Sequence, residues 1–490
     1  MSRHLPVLIV LFPLMGALVV PLAARVSART ARAFTVLMTL LSLASAVAAL
    51  AMVLDRGDWR YRLGGWAPPW GIEYVVDPLS GVIAVLVALL AALVALYAGP
   101  HLRSYPVLRG TAFDSLFLLL TSGLLGITLT GDLFNLYVFL EISSIAAYAL
   151  LASGGDRAVV AAFRYLLVGT IAASFYLLGL GYLYALTGTL NMADLAVRLA
   201  AVPPGSATTV GIVLIILGLA VKMAVFPLHG WMPDAYTYAP PPVTMFIAAV
   251  MSKVSAYALI RLLFFVLPPG DALETARAVL SWVAVGGVLA GSILALAQTD
   301  VRRMLAYSSI GQMGYIVLGV AIGNAAALTG ALLHVVGHAV AKGCLFGAIG
   351  SLPRHTVQAE ISGLAGASRR SPLTMAAFTV AALSLIGMPP TAGFFSKWHL
   401  LRGALDAESW VFATVLLVSS LMSAVYFFRV IEQIYFAEDP AAPDPHQSEA
   451  PRLSWRVVMP VVTLAALVLL VGLFNGRLVT AVIQRALPEL

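Results

Sequence analysis

Long apolar runs recur from one end of this chain to the other, and that repetition limits its fold more than any other feature. A run of at least ~18 such residues crosses the ~30 Å hydrocarbon core of a bilayer as a helix. Fourteen can be placed, at 5–24, 33–53, 78–98, 112–131, 133–152, 163–186, 208–229, 243–266, 278–298, 303–322, 327–350, 372–396, 409–430 and 456–475. Backbone in lipid must satisfy its own hydrogen bonds, so each run is assigned as a helix. Only 10% of the 490 residues are charged, against ~25% in a typical soluble domain. The expected fold class is an all-α, multi-pass integral membrane protein with the lipid bilayer as its main solvent.

The first run resembles a secretion signal in having Arg3 before it and small residues before Arg25, but its length and the spans that follow make it an uncleaved first helix. The longest polar connections are 54–77, 351–371 and 431–455, and an acidic, proline-rich stretch from Glu438 to Pro445 reads as an exposed loop. The net charge of +7 is spread between apolar runs rather than clustered. Nucleic acid is therefore not an expected partner, and the basic residues read as topology determinants. Their bias toward alternate connections places both termini on the outer side. The one cysteine, Cys344, lies in an apolar run, which leaves no intrachain disulfide or Cys-based metal site. P-loop, dinucleotide and iron–sulfur signatures are missing from the sequence. No catalytic residue, cofactor or metal is expected in the chain, and redox chemistry would belong to partner subunits.

Two spans are interrupted. One break runs from Lys222 through Pro227, His229 and Pro233 to Asp234, with Pro240–Pro242 close behind; the other runs from Gly387 through Pro389 and Pro390 to Lys397. Proline removes a helix hydrogen bond and clashes with the preceding turn. A pair of broken helices, one in each half of a transporter, marks ion sites near the midplane.

Of 29 basic side chains only four are lysines, Lys222, Lys253, Lys342 and Lys397, and all lie in or at the edge of predicted spans, whereas nearly all arginines are in connections or at span ends. Burying a lysine at a helix centre costs roughly 2.5–3.5 kcal/mol or more. The choice of lysine over arginine has a chemical reason: a buried amine can release and recover a proton, and a guanidinium stays charged. Snorkelling from a helix end is the competing explanation, and Lys397 suits it best.

A buried cation needs a partner, and Glu141 is the carboxylate expected to lie deepest. A Glu–Lys pair on separate helices is switchable, since a proton arriving at one changes the other. Asp77, Asp114 and Asp132 sit nearer span ends, where capping or anchoring is expected, with Asp132, His229 and Asp234 kept as secondary candidates. His334, His338 and Lys342 are spaced i, i+4, i+8, which places them along one helix face. Imidazole titrates near neutrality, so the stripe reads as a proton relay. Arg261 and Arg429 are expected as membrane-edge anchors.

The segments Gly131–Glu141, Lys222–Asp234 with the turn and Lys253 that follow, Leu305–Tyr315, His334–Lys342 and Gly387–Lys397 together resemble the antiporter-like subunits. That family includes the D subunit of Mrp-type cation/proton antiporters, the three large membrane subunits of respiratory complex I, and counterparts in membrane-bound hydrogenases and formate hydrogenlyases. The resemblance spans roughly 70–475. It implies three N-terminal helices (1–111), two inverted five-helix repeats (112–266 and 278–430) broken in helices 7 and 12, and a loop with a last helix (431–490). It further implies that Glu141 and Lys222 pair in a first half-channel, Lys253 connects, His334, His338 and Lys342 relay, and Lys397 ends the second half-channel. The ending of the chain soon after the fourteenth span, Lys397 itself and the Gly188–Asp194 loop favour the Mrp D type, part of a Na+/proton antiporter; the Thr237–Pro242 turn departs from that pattern. The alternative is a proton-pumping subunit of a complex I-like oxidoreductase or hydrogenase. Either implies partner membrane subunits, protons (with Na+ in the antiporter) and a prokaryotic plasma membrane. A purely structural scaffold fits the lysine distribution poorly.

Overall fold

In a computed structural model, residues 4–487 are described except 104, 204, 353–359 and 439–452. Most of the acidic, proline-rich stretch expected as a loop lies outside the described residues. The helices run α1 (Leu5–Val26), α2 (Ala28–Arg56), α3 (Pro78–Leu102), α4 (Val107–Leu129), α5 (Leu133–Ala152), α6 (Asp156–Thr187), α7 (Met192–Ala201), α8 (Ser206–Met223) and α9 (Met232–Tyr238). They continue as α10 (Pro241–Val266), α11 (Asp271–Leu296), α12 (Val301–Ile322), α13 (Ala325–Ser351), α14 (Pro372–Ile386), α15 (Ala392–Asp406), α16 (Trp410–Tyr435) and α17 (Trp455–Leu473). Among the described residues, thirteen helices are long and apolar enough to cross a membrane, and α14 is a shorter apolar helix.

Polar residues at the ends of apolar runs start many of these helices. Asp77 and Ser80 form a reciprocal capping box on α3, and the side chains of Asp132, Asn191, Asp300 and Asn324 accept the first backbone N–H groups of α5, α7, α12 and α13. Such caps satisfy donors that a helix cannot satisfy internally. Because successive spans alternate in direction, α4 and α11 start on opposite faces. One set of five, α4, α5, α6, α8 with α9, and α10, is followed by a second, α11, α12, α13, α14 with α15, and α16, and each set is interrupted in its fourth member.

Three features differ from the sequence expectation. The connection 54–77 contains an antiparallel pair, β1 (Trp59–Arg62) with β2 (Glu73–Val76), in register Trp59↔Val76. The segment after Gly188 folds into the short amphipathic α7, held by an Asp194–Arg198 ion pair at 3.0 Å. The twelfth span is not one run over 372–396 but α14 and α15, and the second piece continues to Asp406. The strands were hidden by their brevity, α7 by its polar face, and the length of α15 by Lys397, His399 and Arg402, which end the apolar run before the helix ends.

The core is not uniform. The apolar stretch of α10 is buried along its whole length and those of α12 and α13 nearly so, whereas α1, α2, α6, α16 and α17 expose much of theirs. The three most enclosed helices are those that carry the central polar residues.

Candidate functional site

In the first half, Lys222 occupies the last turn of α8 before the break. Its Nζ lies 3.6 Å from Glu141 Oε1 on α5. It donates to Ser144 Oγ at 2.7 Å and to Tyr148 Oη at 3.4 Å. Glu141, Ser144 and Tyr148 are spaced i, i+3, i+7, so one face of α5 supplies all three. A Cβ at Gly169 of α6 would collide with Tyr148 Oη, so bare backbone there makes room for the hydroxyl. The ammonium is enclosed, but 26% of the Glu141 side chain remains accessible. This corrects the expectation of a deeply buried carboxylate: Glu73, Asp77, Asp114 and Asp132 are all more enclosed. Sequence position fixed the depth of Glu141 along its helix, not whether its flank is covered. That flank continues through exposed Phe134, Val138 and Ile145 on α5.

An aromatic series leads from Lys222 inward. Tyr148 meets Tyr165 edge-on at 4.6 Å, Tyr165 stacks on Trp231 at 3.8 Å, and Trp231 meets Tyr236 at 6.3 Å. Trp231 Nε1 also donates to Val221 O at 2.9 Å, a second bond to the carbonyl that the Ala224 N–H meets at 3.0 Å where α8 ends. Tyr236 donates to Ile247 O, the first residue of a π-helical turn at Ile247–Met251. Lys253 follows that turn, and its Nζ donates to Ala248 O within it at 2.6 Å. π turns inside α-helices often mark functional positions.

On α13, His334, His338 and Lys342 are all enclosed, and the two imidazoles lie 5.8 Å apart, nearly parallel. Lys342 Nζ reaches α12, donating to Leu305 O at 2.7 Å and to Ser308 Oγ. His334 Nδ1 bonds Ser396 Oγ at 2.9 Å, and its ring stacks on Tyr315 at 5.4 Å.

Lys397 follows Ser396 on α15, but its ammonium turns back into the break instead of snorkelling outward. It donates to Leu385 O at 2.8 Å, Ile386 O at 3.1 Å and Ser420 Oγ at 3.1 Å. The two carbonyls are those that the end of α14 leaves without helical partners, and a cation suits a helix C-terminus. The Tyr315 ring lies 4.8 Å from Lys397 Nζ, and its hydroxyl bonds Ser419 at 2.5 Å and Ser420 at 3.2 Å. Among the described residues, Lys222 is the lysine paired with a carboxylate; neutral oxygens hold Lys253, Lys342 and Lys397.

The other singled-out residues stand apart from this line. Asp132 caps α5, accepting Asn135 N–H at 2.7 Å. Asp234 clasps Arg164 at 2.9 Å and Arg303 at 3.2 Å, joining the two halves. His229 is half-buried and stacks on Phe226 at 5.4 Å. Asp114 pairs with Arg32. Arg261, expected as an edge anchor, is instead buried and paired with Asp77. Arg429 donates to Leu296 O and Gln298 O. Sequence reasoning missed Ser144, Tyr148, Ser308, Tyr315, Ser396 and Ser420. The spacing of Ser144 and Tyr148 from Glu141 was the one available sign for those two.

A family profile described as NADH:quinone oxidoreductase/Mrp antiporter, transmembrane, matches residues 130–423. The NADH-quinone oxidoreductase subunit N of Desulforudis audaxviator is 52% identical over 498 aligned residues, covering 100% of this chain and 99% of that one. The D subunit of the Na(+)/H(+) antiporter of Bacillus subtilis is 32% identical, covering 86% of this chain and 84% of that one. Among solved structures, a chain of the membrane-bound sulfane sulfur reductase, an archaeal respiratory membrane complex, superposes with a TM-score of 0.91 at 32% identity, covering 99% of this chain and 97% of that one.

Proposed function

The chain belongs to the NADH:quinone oxidoreductase/Mrp antiporter family of membrane subunits, and from that premise we propose that it translocates protons as a subunit of a redox-driven respiratory complex. One observation carries the translocation: Lys222, Lys253, His334, His338 and Lys342 are buried, Lys397 turns into the break between α14 and α15, and the oxygens that hold three of the lysines are neutral. Hydroxyls and carbonyls accept a hydrogen bond from an ammonium without tying it to a fixed charge. In this reading Glu141 and Lys222 take up the proton in the first half, Lys253 connects, His334, His338 and Lys342 relay, and Lys397 passes it to the second half's exit.

The redox-driven parent replaces the Mrp D-type reading as the first choice. End-to-end identity of 52% with an oxidoreductase N subunit supports it more strongly than 32% with an antiporter D subunit. A single lysine and a seven-residue loop, which favoured the D type, weigh less than the whole chain. Electron transfer is assigned to partner subunits, and both termini to the outer face of the plasma membrane. The antiporter reading, with Na+ as the exchanged cation, keeps Lys397 and the Gly188–Asp194 loop in its favour.

Purifying the assembled complex from native membranes through a tag on this chain separates the two. Co-purifying iron–sulfur or other electron-transfer subunits are expected. A set of small Mrp-type membrane subunits with no redox protein would replace this reading by the antiporter.

A further inference from the structure

The relay has one member whose partner the hydrogen bonds do not name. His338 is 1% exposed, and neither Nδ1 nor Nε2 bonds any protein atom among the described residues. His334 has Ser396 and Lys342 has Ser308, so His338 stands between two anchored neighbours without an anchor of its own. Buried polar atoms in folded proteins are bonded in about nine cases of ten.

The register of α12 against α13 identifies what faces it. These helices are antiparallel neighbours joined by the short turn at Gly323–Asn324. Ser308 meets Lys342, and seven residues later Tyr315 meets His334. Moving four residues on from Ser308 along α12 and four back from Lys342 along α13 brings Gln312 level with His338. Ser308, Gln312 and Tyr315 are spaced i, i+4, i+7, so Gln312 points from the same face of α12 as the two residues already in contact with α13. Gln312 is also 1% exposed, and its Oε1 has no hydrogen-bond partner among the described residues. Two unanswered polar side chains thus face each other at one level of one helix pair.

We propose that Gln312 is the positioning residue of the relay, its side-chain amide bonding His338 directly or through one water. The assignment rests on the proton-translocating reading above. A primary amide suits the position because it accepts from an imidazole N–H through its oxygen and donates to a bare ring nitrogen through its NH2. It can therefore hold the ring in the correct plane before and after a proton passes. Being neutral, it leaves the proton free to move on, as the serines and carbonyls do for the lysines. The charged and titratable groups nearest His338 are Lys253 from α10 and Lys342 and His334 from its own helix. None of these is an acid, and Gln312 is the residue of α12 whose acceptor oxygen is buried and unbonded among the described residues.

The test compares proton transport by the assembled complex across pH for wild type, Gln312→Met, Gln312→Glu and His338→Leu, with subunit levels measured in each. Met keeps the length of Gln and removes its hydrogen bonds. The expected result is normal assembly of Q312M with transport reduced by about tenfold or more. Q312E, which keeps an acceptor oxygen facing the ring, should recover much of the rate. A Q312M complex with wild-type rate and pH profile, beside an inactive H338L, overturns the Gln312 assignment alone. Wild-type transport by H338L overturns the relay itself. Loss of assembly in both Gln312 variants makes the residue structural and also overturns the assignment.

Discussion

Each interior lysine is held by a different neutral set: a serine and a tyrosine beside Glu141 for Lys222, one π-turn carbonyl for Lys253, a carbonyl and a serine for Lys342, and two helix-end carbonyls with a serine for Lys397. These sets suit an amine that is charged at one moment and neutral at the next. Arginine offers more donors and a permanent charge, with a pKa above ~12. If the sites needed only charge, Lys253→Arg and Lys342→Arg would transport normally. The expectation is assembly at normal levels with transport lost, matched by equally inactive Lys→Met variants, which test volume without titration. Full transport by the arginine variants would refute proton carriage at those sites. Lysine placement made this residue set readable in advance, because four of four in or at the edge of apolar runs is a pattern no solvated surface produces. The hydroxyl partners were not readable. Serines are frequent in these spans, and many bond only the carbonyl one turn back, as Ser45 and Ser292 do; only tertiary packing separates those from Ser308 and Ser420.

The two breaks are the elements that convert packing into polar sites. Each first piece ends in a left-handed residue, Ala224 at φ 56° after α8 and Gly387 at φ +97° after α14. At each break a side chain donates to carbonyls of the last turn: the Trp231 indole shares one with a backbone N–H in the first half, and the Lys397 ammonium takes two in the second. At Gly387 the conformation disfavours any side chain, and an added Cβ would sit 3.0 Å from Lys397 Cδ. Gly387→Ala is expected to displace the Lys397 side chain, at a backbone cost of roughly 1–2 kcal/mol. The outcome should be a complex that assembles and loses much of its transport. Transport at the wild-type rate in G387A would mean that Lys397 does not need its seat in the break. Prolines and glycines disclosed both breaks in the sequence. The π turns flanking Lys253 carry no such mark: Ile247–Met251 and Leu262–Val266 read as ordinary apolar helix. Their geometry comes from packing, not from local composition.

At the scale of the whole molecule, the start of α1, the β1–β2 pair, the start of α7 and the helical stretch at 475–486 lie together: His4 bonds Tyr61, Tyr74 bridges Thr130, Asp132 bridges Asn191, and Arg485 donates to Leu54 O. The interior lysines lie between that group and the Arg164–Asp234–Arg303 clasp. Hydropathy made the spans readable and repeated motifs made the family readable, but neither told how a charge in the middle of α5 is covered. Glu141 lies among exposed apolar neighbours on that helix, and a carboxylate at that depth is costly against lipid. In the proposed function this carboxylate and Lys222 open a proton path through the chain, and that step underlies all the others. It is tested most directly by reconstituting the assembled complex in sealed vesicles and following the pH gradient built by its own driving reaction. Glu141→Gln and Lys222→Ala are compared with wild type at matched subunit levels. Both variants are expected to assemble and build no gradient; an undiminished gradient in either would mean that the pair does not open the path.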